Sequence, residues 1–167
     1  MRTDIEGIIF DLDGTLYPLK AFKRRIILKN FRNLFTLREM INVRQSLRGI
    51  DFGSGEAFYS EFFSRLARKR KKTKEWIKKW YFESFYPAFI ELLEKKYKAR
   101  KNLIKILTEL QKLNIKMAVL SDYSFTRERI ETLDISTSFF SIMKSNEEYG
   151  MLKPSGRPMR ELALEMG

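Results

Sequence analysis

Three short apolar segments along the chain each pass into polar residues at the carboxyl end. They occupy residues 5–10 (IEGIIF), 116–121 (KMAVLS) and 139–143 (FFSIM). Segments of this length that are rich in β-branched and aromatic residues are typical of buried strands. The pattern therefore predicts three strands, each followed by a polar turn.

Helical spacing of apolar residues marks the segments beside these strands. Helices are predicted over residues 101–113, 124–135 and 157–166. In the first of them, Leu103, Leu107 and Leu110 follow the i, i+4, i+7 spacing of an amphipathic helix. In the second, Ser124 stands where a side chain that caps a helix is expected. Because strands and helices alternate, the sequence predicts an α/β fold with a parallel sheet.

The interval between the first two strands is too long for a simple crossover. Asp11 and Ser121 are 110 positions apart, whereas a strand–helix–strand unit takes about 30 residues. The surplus carries several stretches of helical spacing. We therefore expect an α/β core formed by residues 1–17 and 101–167, with a helical insertion over residues 18–100.

One stripe of large apolar residues is expected to form the core of this insertion. Tyr81, Phe85, Phe89 and Leu92 recur at the spacing of a buried helix face. We favour that interpretation over a surface on which nucleic-acid bases stack. Pro87 is predicted to break the helix in two, because proline lacks the N–H that an interior helical position needs.

Charge is distributed unevenly between the two predicted parts. The whole chain has a net charge of +12, and residues 18–101 hold 23 Lys/Arg against 8 Asp/Glu. The densest stretch, residues 65–79, contains nine Lys/Arg. A solvated helix face is the favoured interpretation, and a surface that attracts nucleotides, nucleic acid or anionic membrane is the alternative.

The chain contains no cysteine and no histidine. Disulfides and thiolate metal sites are therefore excluded, as are the commonest general base and the commonest zinc ligand. Any catalysis must use carboxylates, hydroxyls, lysine or backbone groups. The first ten residues do not resemble a signal peptide, and no stretch approaches the ~18 apolar residues of a membrane span. We expect a cytoplasmic protein without a membrane partner.

Two carboxylates follow the first predicted strand directly. Asp11 and Asp13 lie at positions i and i+2, so in an extended segment their side chains point the same way and can share a pocket. Open α/β sheets place their ligand sites at this end of the strands. Alone, however, a pair of this kind is more typical of a solvated turn.

Three motifs in order change that interpretation. DLDGTLY at residues 11–17 resembles the first signature of the haloacid dehalogenase superfamily. Ser121 after MAVL is similar to its second signature, and Lys153 with Pro154 in GMLKP is similar to its third. The resemblance implies a three-layer, Rossmann-like parallel sheet with a helical cap inserted between the first and second motifs.

The resemblance also implies a role for each matching residue. Asp11 would be the nucleophile that takes the phosphoryl group, and Asp13 would be the general acid and base. Ser121 and Lys153 would bind phosphate oxygens. The remaining phosphate-binding positions would be Gly14, Thr15 and Asp122. A Mg²⁺ cofactor would be held by the Asp11 carboxylate and the Asp13 backbone carbonyl.

The acid at position 13 separates branches of the family. Haloacid dehalogenases proper lack an acid there, because a halide leaves without a proton, so Asp13 favours phosphatases and phosphomutases. The fourth signature, a pair of acids after a further strand, is missing, since only 14 residues follow Lys153. We expect a truncated core, with a natural end at Gly167 as the alternative. Glu147 and Glu148 are predicted to belong to an ordinary turn.

The leading functional hypothesis is a phosphatase that hydrolyses a small phosphorylated metabolite through an aspartyl-phosphate on Asp11. One alternative is a catalytically impaired remnant that binds a polyanion, nucleic acid or protein. A phosphomutase is the other, because it would use the same residues. The sequence identifies neither the substrate nor the oligomeric state.

Overall fold

The three apolar segments pair as a parallel sheet in the order β1-β2-β3. A computed structural model describes residues 5–167. Its strands are β1 (Gly7–Phe10), β2 (Lys116–Ser121) and β3 (Ile142–Ser145). The central strand β2 pairs with both neighbours, so the polar carboxyl ends of all three meet at one edge of the sheet. The predicted α/β class with a parallel sheet is confirmed.

The third strand begins later than the sequence pattern predicts. Residues 137–139 form a turn of 3₁₀ helix, and Phe140 is buried with its ring centre 6.2 Å from that of Phe10. The apolar residues before Ile142 therefore pack under the sheet instead of extending it. An apolar segment alone does not distinguish these two kinds of burial.

Eight α-helices lie within residues 5–167. They are α1 (Phe22–Lys29), α2 (Leu34–Leu47), α3 (Gly55–Arg70), α4 (Lys74–Trp80), α5 (Tyr86–Lys96), α6 (Leu103–Lys112), α7 (Thr126–Glu131) and α8 (Arg157–Met166). The first five lie between β1 and β2, where the sequence predicted a helical insertion. The helices predicted on either side of β2 and at the carboxyl end correspond to α6, α7 and α8.

Two local predictions inside these helices are wrong. Pro87 does not break the chain's helical path, because a π-helical turn, Tyr81–Phe85, joins α4 to α5 and Pro87 lies in the first turn of α5. The wider turn shifts the hydrogen-bond ladder just before the residue that lacks an N–H. Ser124 does not cap α7, whose N-cap residue is Phe125.

The apolar core is continuous from the insertion to one face of the sheet. The predicted stripe is buried, with Tyr81, Phe85, Phe89 and Leu92 exposed by no more than 5%. These residues belong to the same cluster as Met117 and Val119 of β2. The alternate residues of β2, Ala118 and Leu120, pack with Leu162 of α8 on the other face. The sheet therefore lies between two helical layers.

No helix within residues 5–167 is long and apolar enough to cross a membrane.

The aromatic core of the insertion predicts a strong contrast between two phenylalanines. Phe58 on α3 is fully buried, whereas Phe35 on α2 is 70% exposed. We expect Phe58→Ala to lower the free energy of unfolding by about 3–5 kcal/mol and Phe35→Ala by about 0.5 kcal/mol or less. Urea unfolding followed by circular dichroism measures both, and equal losses would contradict this core.

Candidate active site

The residues singled out by the three motifs meet at the carboxyl edge of the sheet. Asp11 and Asp13 follow β1, Ser121 is the last residue of β2, and Lys153 lies in the loop between β3 and α8. Parallel strands bring these ends together, and open α/β sheets bind their ligands at such an edge.

Asp11 and Lys153 form an ion pair that is open to solvent. The Lys153 Nζ donates to Asp11 Oδ1 at 2.5 Å, and the two side chains are 32% and 36% exposed respectively. On the other oxygen, the Thr15 hydroxyl donates to Asp11 Oδ2 at 3.1 Å. The Asp11 carboxylate is therefore oriented by two donors and accessible to a ligand.

Asp13 is held by three side chains. The Tyr17 hydroxyl donates to Asp13 Oδ1 at 2.5 Å, and the guanidinium of Arg129 forms an ion pair with the same oxygen. The Ser121 hydroxyl donates to Asp13 Oδ2 at 3.0 Å. Ser121 is thus turned toward Asp13, and both carboxylate oxygens of Asp13 are engaged.

These contacts set the charge state of Asp13. Burial alone would raise the pKa of its carboxyl, but the Arg129 charge and the hydrogen bonds from Arg129, Tyr17 and Ser121 outweigh burial and lower the pKa. Burial and the Asp13 charge raise the pKa of the Tyr17 hydroxyl, which stays protonated as a donor. At neutral pH Asp13 is therefore a carboxylate, the form that accepts a proton.

Arg129 is the main residue at this site that the sequence analysis missed. Its side chain is fully buried, and its guanidinium donates to Ser121 Oγ at 2.9 Å and to the Tyr123 carbonyl at 3.0 Å. It also lies 4.5 Å from the ring centre of Phe89 in the insertion. Arg127, on the same helix, is exposed. The spacing of residues in the sequence does not indicate that Arg129 is buried and Arg127 is not.

The other predicted phosphate-binding residues occupy the adjoining loops. Gly14 adopts a φ of +92°, which favours glycine, and lets the chain turn between Asp13 and Thr15. The Asp122 carboxylate accepts from Asn146 Nδ2 at 2.8 Å and from the Lys153 backbone N–H at 3.1 Å. Asp122 therefore ties the loop after β2 to the loop that carries Lys153.

A cavity of about 260 Å³ opens between the last turns of α2 and these loops. Its lining includes Arg44, Gln45, Arg48, Asp122 and Tyr123. The Arg48 Nε donates to the Lys153 carbonyl at 2.7 Å, so the cavity adjoins the loop that reaches Asp11. The exposed guanidinium of Arg48 favours an anionic ligand in this cavity.

Glu147, predicted to lie in an ordinary turn, is fully buried. Its carboxylate forms an ion pair with Arg44 of α2 and accepts from the Tyr59, Tyr81 and Tyr86 hydroxyls at 2.6–2.8 Å. These four donors all come from the insertion. The Ser124 hydroxyl, from the loop after β2, adds a fifth contact at 2.8 Å. Residues 146–150 do form the predicted turn, but Glu147 is buried within it instead of solvated, because its partners lie far from it along the chain.

The donors keep Glu147 ionised inside the protein. Burial raises the pKa of its carboxyl, but the Arg44 charge and the hydrogen bonds from Tyr81, Tyr59 and Arg44 lower the pKa by more. Burial and the charge of Glu147 raise the pKa of the Tyr81 and Tyr86 hydroxyls, so both remain donors. A buried charge that is fully paired in this way holds its surroundings in one arrangement.

Oxygen donors for a divalent metal are limited at this edge. Within residues 5–167, no three acidic side chains converge on one point. The Asp11 carboxylate is accessible, and Mg²⁺ often takes one or two carboxylates and completes its shell with water and phosphate oxygens. The residues present therefore fit a minimal magnesium site.

A family profile described as haloacid dehalogenase-like hydrolase matches residues 5–167. No curated protein matches the sequence significantly.

Three solved structures illustrate the likeness in fold. A predicted phosphoglycolate phosphatase from Haemophilus somnus is 18% identical, with a TM-score of 0.60 over 100% of this chain and 74% of that one. A mutant of CbbY from Rhodobacter sphaeroides in complex with xylulose-1,5-bisphosphate is 19% identical, with a TM-score of 0.60 over 97% and 72%. The putative hydrolase YfnB from Bacillus subtilis, bound to magnesium, is 14% identical, with a TM-score of 0.55 over 96% and 73%.

The buried ion pair at Asp13 predicts a contrast between two arginines of α7. We expect Arg129→Met to lower the free energy of unfolding by about 3–5 kcal/mol, because it leaves the Asp13 carboxylate without its counter-charge. The matched change Arg127→Met, at an exposed position, should cost about 0.5 kcal/mol or less. Urea unfolding of both variants checks this, and similar losses would show that the Arg129 contact contributes little.

Proposed function

The chain belongs to the haloacid dehalogenase-like hydrolase family, and on that premise we propose that it is a phosphatase acting on a small phosphorylated metabolite. The nucleophile is Asp11. The observation that carries the proposal is the accessible Asp11 carboxylate, paired with Lys153 at the carboxyl edge of the sheet. A carboxylate next to an ammonium group provides both a nucleophile and a cation for the phosphate oxygens.

In the first step an oxygen of Asp11 bonds to phosphorus, and the bond from phosphorus to the substrate alcohol breaks. The alcohol leaves with a proton from Asp13. In the second step a water attacks the aspartyl-phosphate, its proton passes to the Asp13 carboxylate, and phosphate and free Asp11 result. The ionised Asp13 described above suits the second step. For the first step we propose that substrate binding separates Asp13 from Arg129, so that the Asp13 carboxylate can take up a proton before it acts as the acid.

Positive charge around the cavity supports an anionic substrate. Lys153 reaches Asp11, and Arg44 and Arg48 line the adjoining cavity. Lys153 and the exposed Arg48 can offset charge on a phosphate group, and a guanidinium is suited to two-pronged contacts, whereas the charge of Arg44 is already paired with Glu147. We propose Mg²⁺ as the cofactor, held by the Asp11 carboxylate and the Asp13 carbonyl. When bound, it would offset the repulsion between Asp11 and a phosphate dianion.

Residues 18–100 are proposed to act as a helical cap over this site. The cavity lies beneath the last turns of α2, so access to it depends on where the insertion sits. Donors from α2, α3, α5 and the π-helical turn reach Glu147 in the loop after β3. Glu147 would therefore hold the cap in its closed position, where water is excluded from the reacting groups.

The related structures support phosphorylated substrates as a class. One is described as a predicted phosphoglycolate phosphatase, and another is in complex with xylulose-1,5-bisphosphate. At identities below 20% these likenesses bear on the fold, so the substrate itself is left open. A phosphomutase would share the same residues, and product analysis with a phosphosugar distinguishes the two.

The proposed nucleophile gives a direct test with an aryl phosphate in the presence of Mg²⁺. We expect Asp11→Asn to reduce turnover by roughly 10³-fold or more, because an amide does not attack phosphorus. Asp134→Asn makes the same change at an exposed aspartate that pairs with Lys98 and contacts none of the proposed catalytic residues, and it should leave turnover unchanged. Release of the aryl alcohol is measured by absorbance.

Acid-stable, hydroxylamine-labile phosphate on the wild-type chain would locate the intermediate on a carboxylate. Turnover near the wild-type level in Asp11→Asn would refute the role of Asp11. A wild-type chain that binds polyanions but shows no Mg²⁺-dependent turnover would favour the binding-module alternative.

The proposed closure of the cap depends on Glu147. We expect Glu147→Gln to lower the free energy of unfolding by about 3–5 kcal/mol, because Arg44 stays buried without a counter-charge. Amide hydrogen exchange should rise more within residues 22–96 than in the sheet. Glu148→Gln, at the exposed neighbour whose carboxylate accepts from Ser145, should cost about 1 kcal/mol or less. A uniform rise in exchange would contradict the closure role.

A further inference from the structure

The corner where α1 meets α2 exposes four large apolar side chains. Leu28, Phe31, Leu34 and Phe35 are 63%, 66%, 42% and 70% exposed. They lie within eight consecutive residues, on the outer side of helices whose other faces bury Ile26, Leu37 and Met40. We call these four side chains the α1–α2 corner. Four exposed apolar residues so close together are more than the scattered single residues of an ordinary surface.

Cations surround this corner. Residues 20–39 contain seven Lys/Arg and one acid, Glu39, which forms an ion pair with Lys69. The guanidinium of Arg70, at the end of α3, lies 6.0 Å from the ring centre of Phe35 and donates to the Thr36 hydroxyl at 3.0 Å. The basic stretch at residues 65–79 therefore reaches the apolar residues through Arg70.

The combination of apolar centre and basic surroundings narrows the possible partners. A second copy of this chain would bring the same positive charge to the interface and be repelled. Single-stranded nucleic acid uses aromatic rings for stacking, and two of the four side chains are leucines. The headgroup region of a bilayer that contains anionic lipid accepts leucine and phenylalanine equally and attracts the arginines and lysines.

We propose that the α1–α2 corner binds the surface of membranes that contain anionic lipid. The four apolar side chains enter the interface, and the surrounding cations, including Arg32 and Arg70, face the lipid headgroups. This is peripheral binding by one corner of the insertion. It departs from the expectation of no membrane partner, which rested on composition without knowledge of which apolar residues are exposed.

Flotation with lipid vesicles tests the proposal on the whole chain. We expect the wild-type chain to float with vesicles of phosphatidylcholine mixed with phosphatidylglycerol, and to bind vesicles of phosphatidylcholine alone at least about 10-fold more weakly, because each cation near an anionic surface contributes roughly a 5-fold gain in affinity. Binding should weaken as salt screens the headgroup charge.

Two sets of variants separate the apolar and electrostatic contributions. The double change Phe31→Ser/Phe35→Ser should reduce binding to anionic vesicles at least about 10-fold, because it removes buried apolar area. Arg32→Gln should reduce it about 5-fold. The matched control Ile106→Ser/Leu113→Ser removes apolar residues that are 51% and 62% exposed near the other end of the molecule's sequence, on and after α6, and should bind as the wild type does.

Several outcomes would overturn the proposal. Equal flotation with neutral and anionic vesicles would contradict the electrostatic part of the proposal. An equal loss of vesicle binding in Ile106→Ser/Leu113→Ser would contradict the role of the α1–α2 corner. Tight binding of single-stranded RNA that the Phe31→Ser/Phe35→Ser change abolishes, without vesicle binding, would assign the corner to nucleic acid. A dimer in gel filtration that the same change dissociates would assign it to a second copy. Matching circular dichroism spectra exclude misfolding, and Arg32→Gln provides an independent measurement.

Discussion

The structure depends on one buried carboxylate whose counter-charge and most of whose hydrogen bonds come from the insertion. Glu147 follows the third strand, yet four of its donors come from helices placed between the first and second strands. A buried charge without partners costs several kcal/mol. The sheet and the insertion must therefore fold against each other. The ion pair with Glu147 holds Arg44 and α2 beside the loop after β3, and Arg44 lines the cavity there.

The same constraint operates at the proposed acid–base residue. Asp13 is matched by the buried Arg129, as Glu147 is matched by Arg44. The two arginines share one neighbour, because the guanidiniums of Arg44 and Arg129 lie 4.0 and 5.9 Å from the ring centre of Tyr123. The position of the insertion and the environment of Asp13 are thus linked through direct contacts.

Residue patterns along the chain correctly predicted those strands and helices whose formation depends on neighbouring residues. The first two strands, the terminal helix and the buried stripe from Tyr81 to Leu92 all follow from residue spacing. The start of the third strand, the helical path through Pro87 and the role of Ser124 did not. Two of these depend on a contact with another segment, Phe140 with Phe10 and Ser124 with Glu147, and the third depends on the π-helical turn that precedes Pro87.

The sequence by itself determined the family, the parallel sheet and the order of the motifs that bring Asp11 and Lys153 to one edge. The motifs and the spacing of apolar residues that predict these features each lie within a short segment of the chain. Only the tertiary structure decided which charged residues are buried. Arg129 and Glu147 look like surface residues in the sequence, since their partners Asp13 and Arg44 lie 116 and 103 positions away. A charged side chain can be buried only where hydrogen-bond and ion-pair partners meet it, and the partners of these residues lie outside the reach of any local sequence pattern.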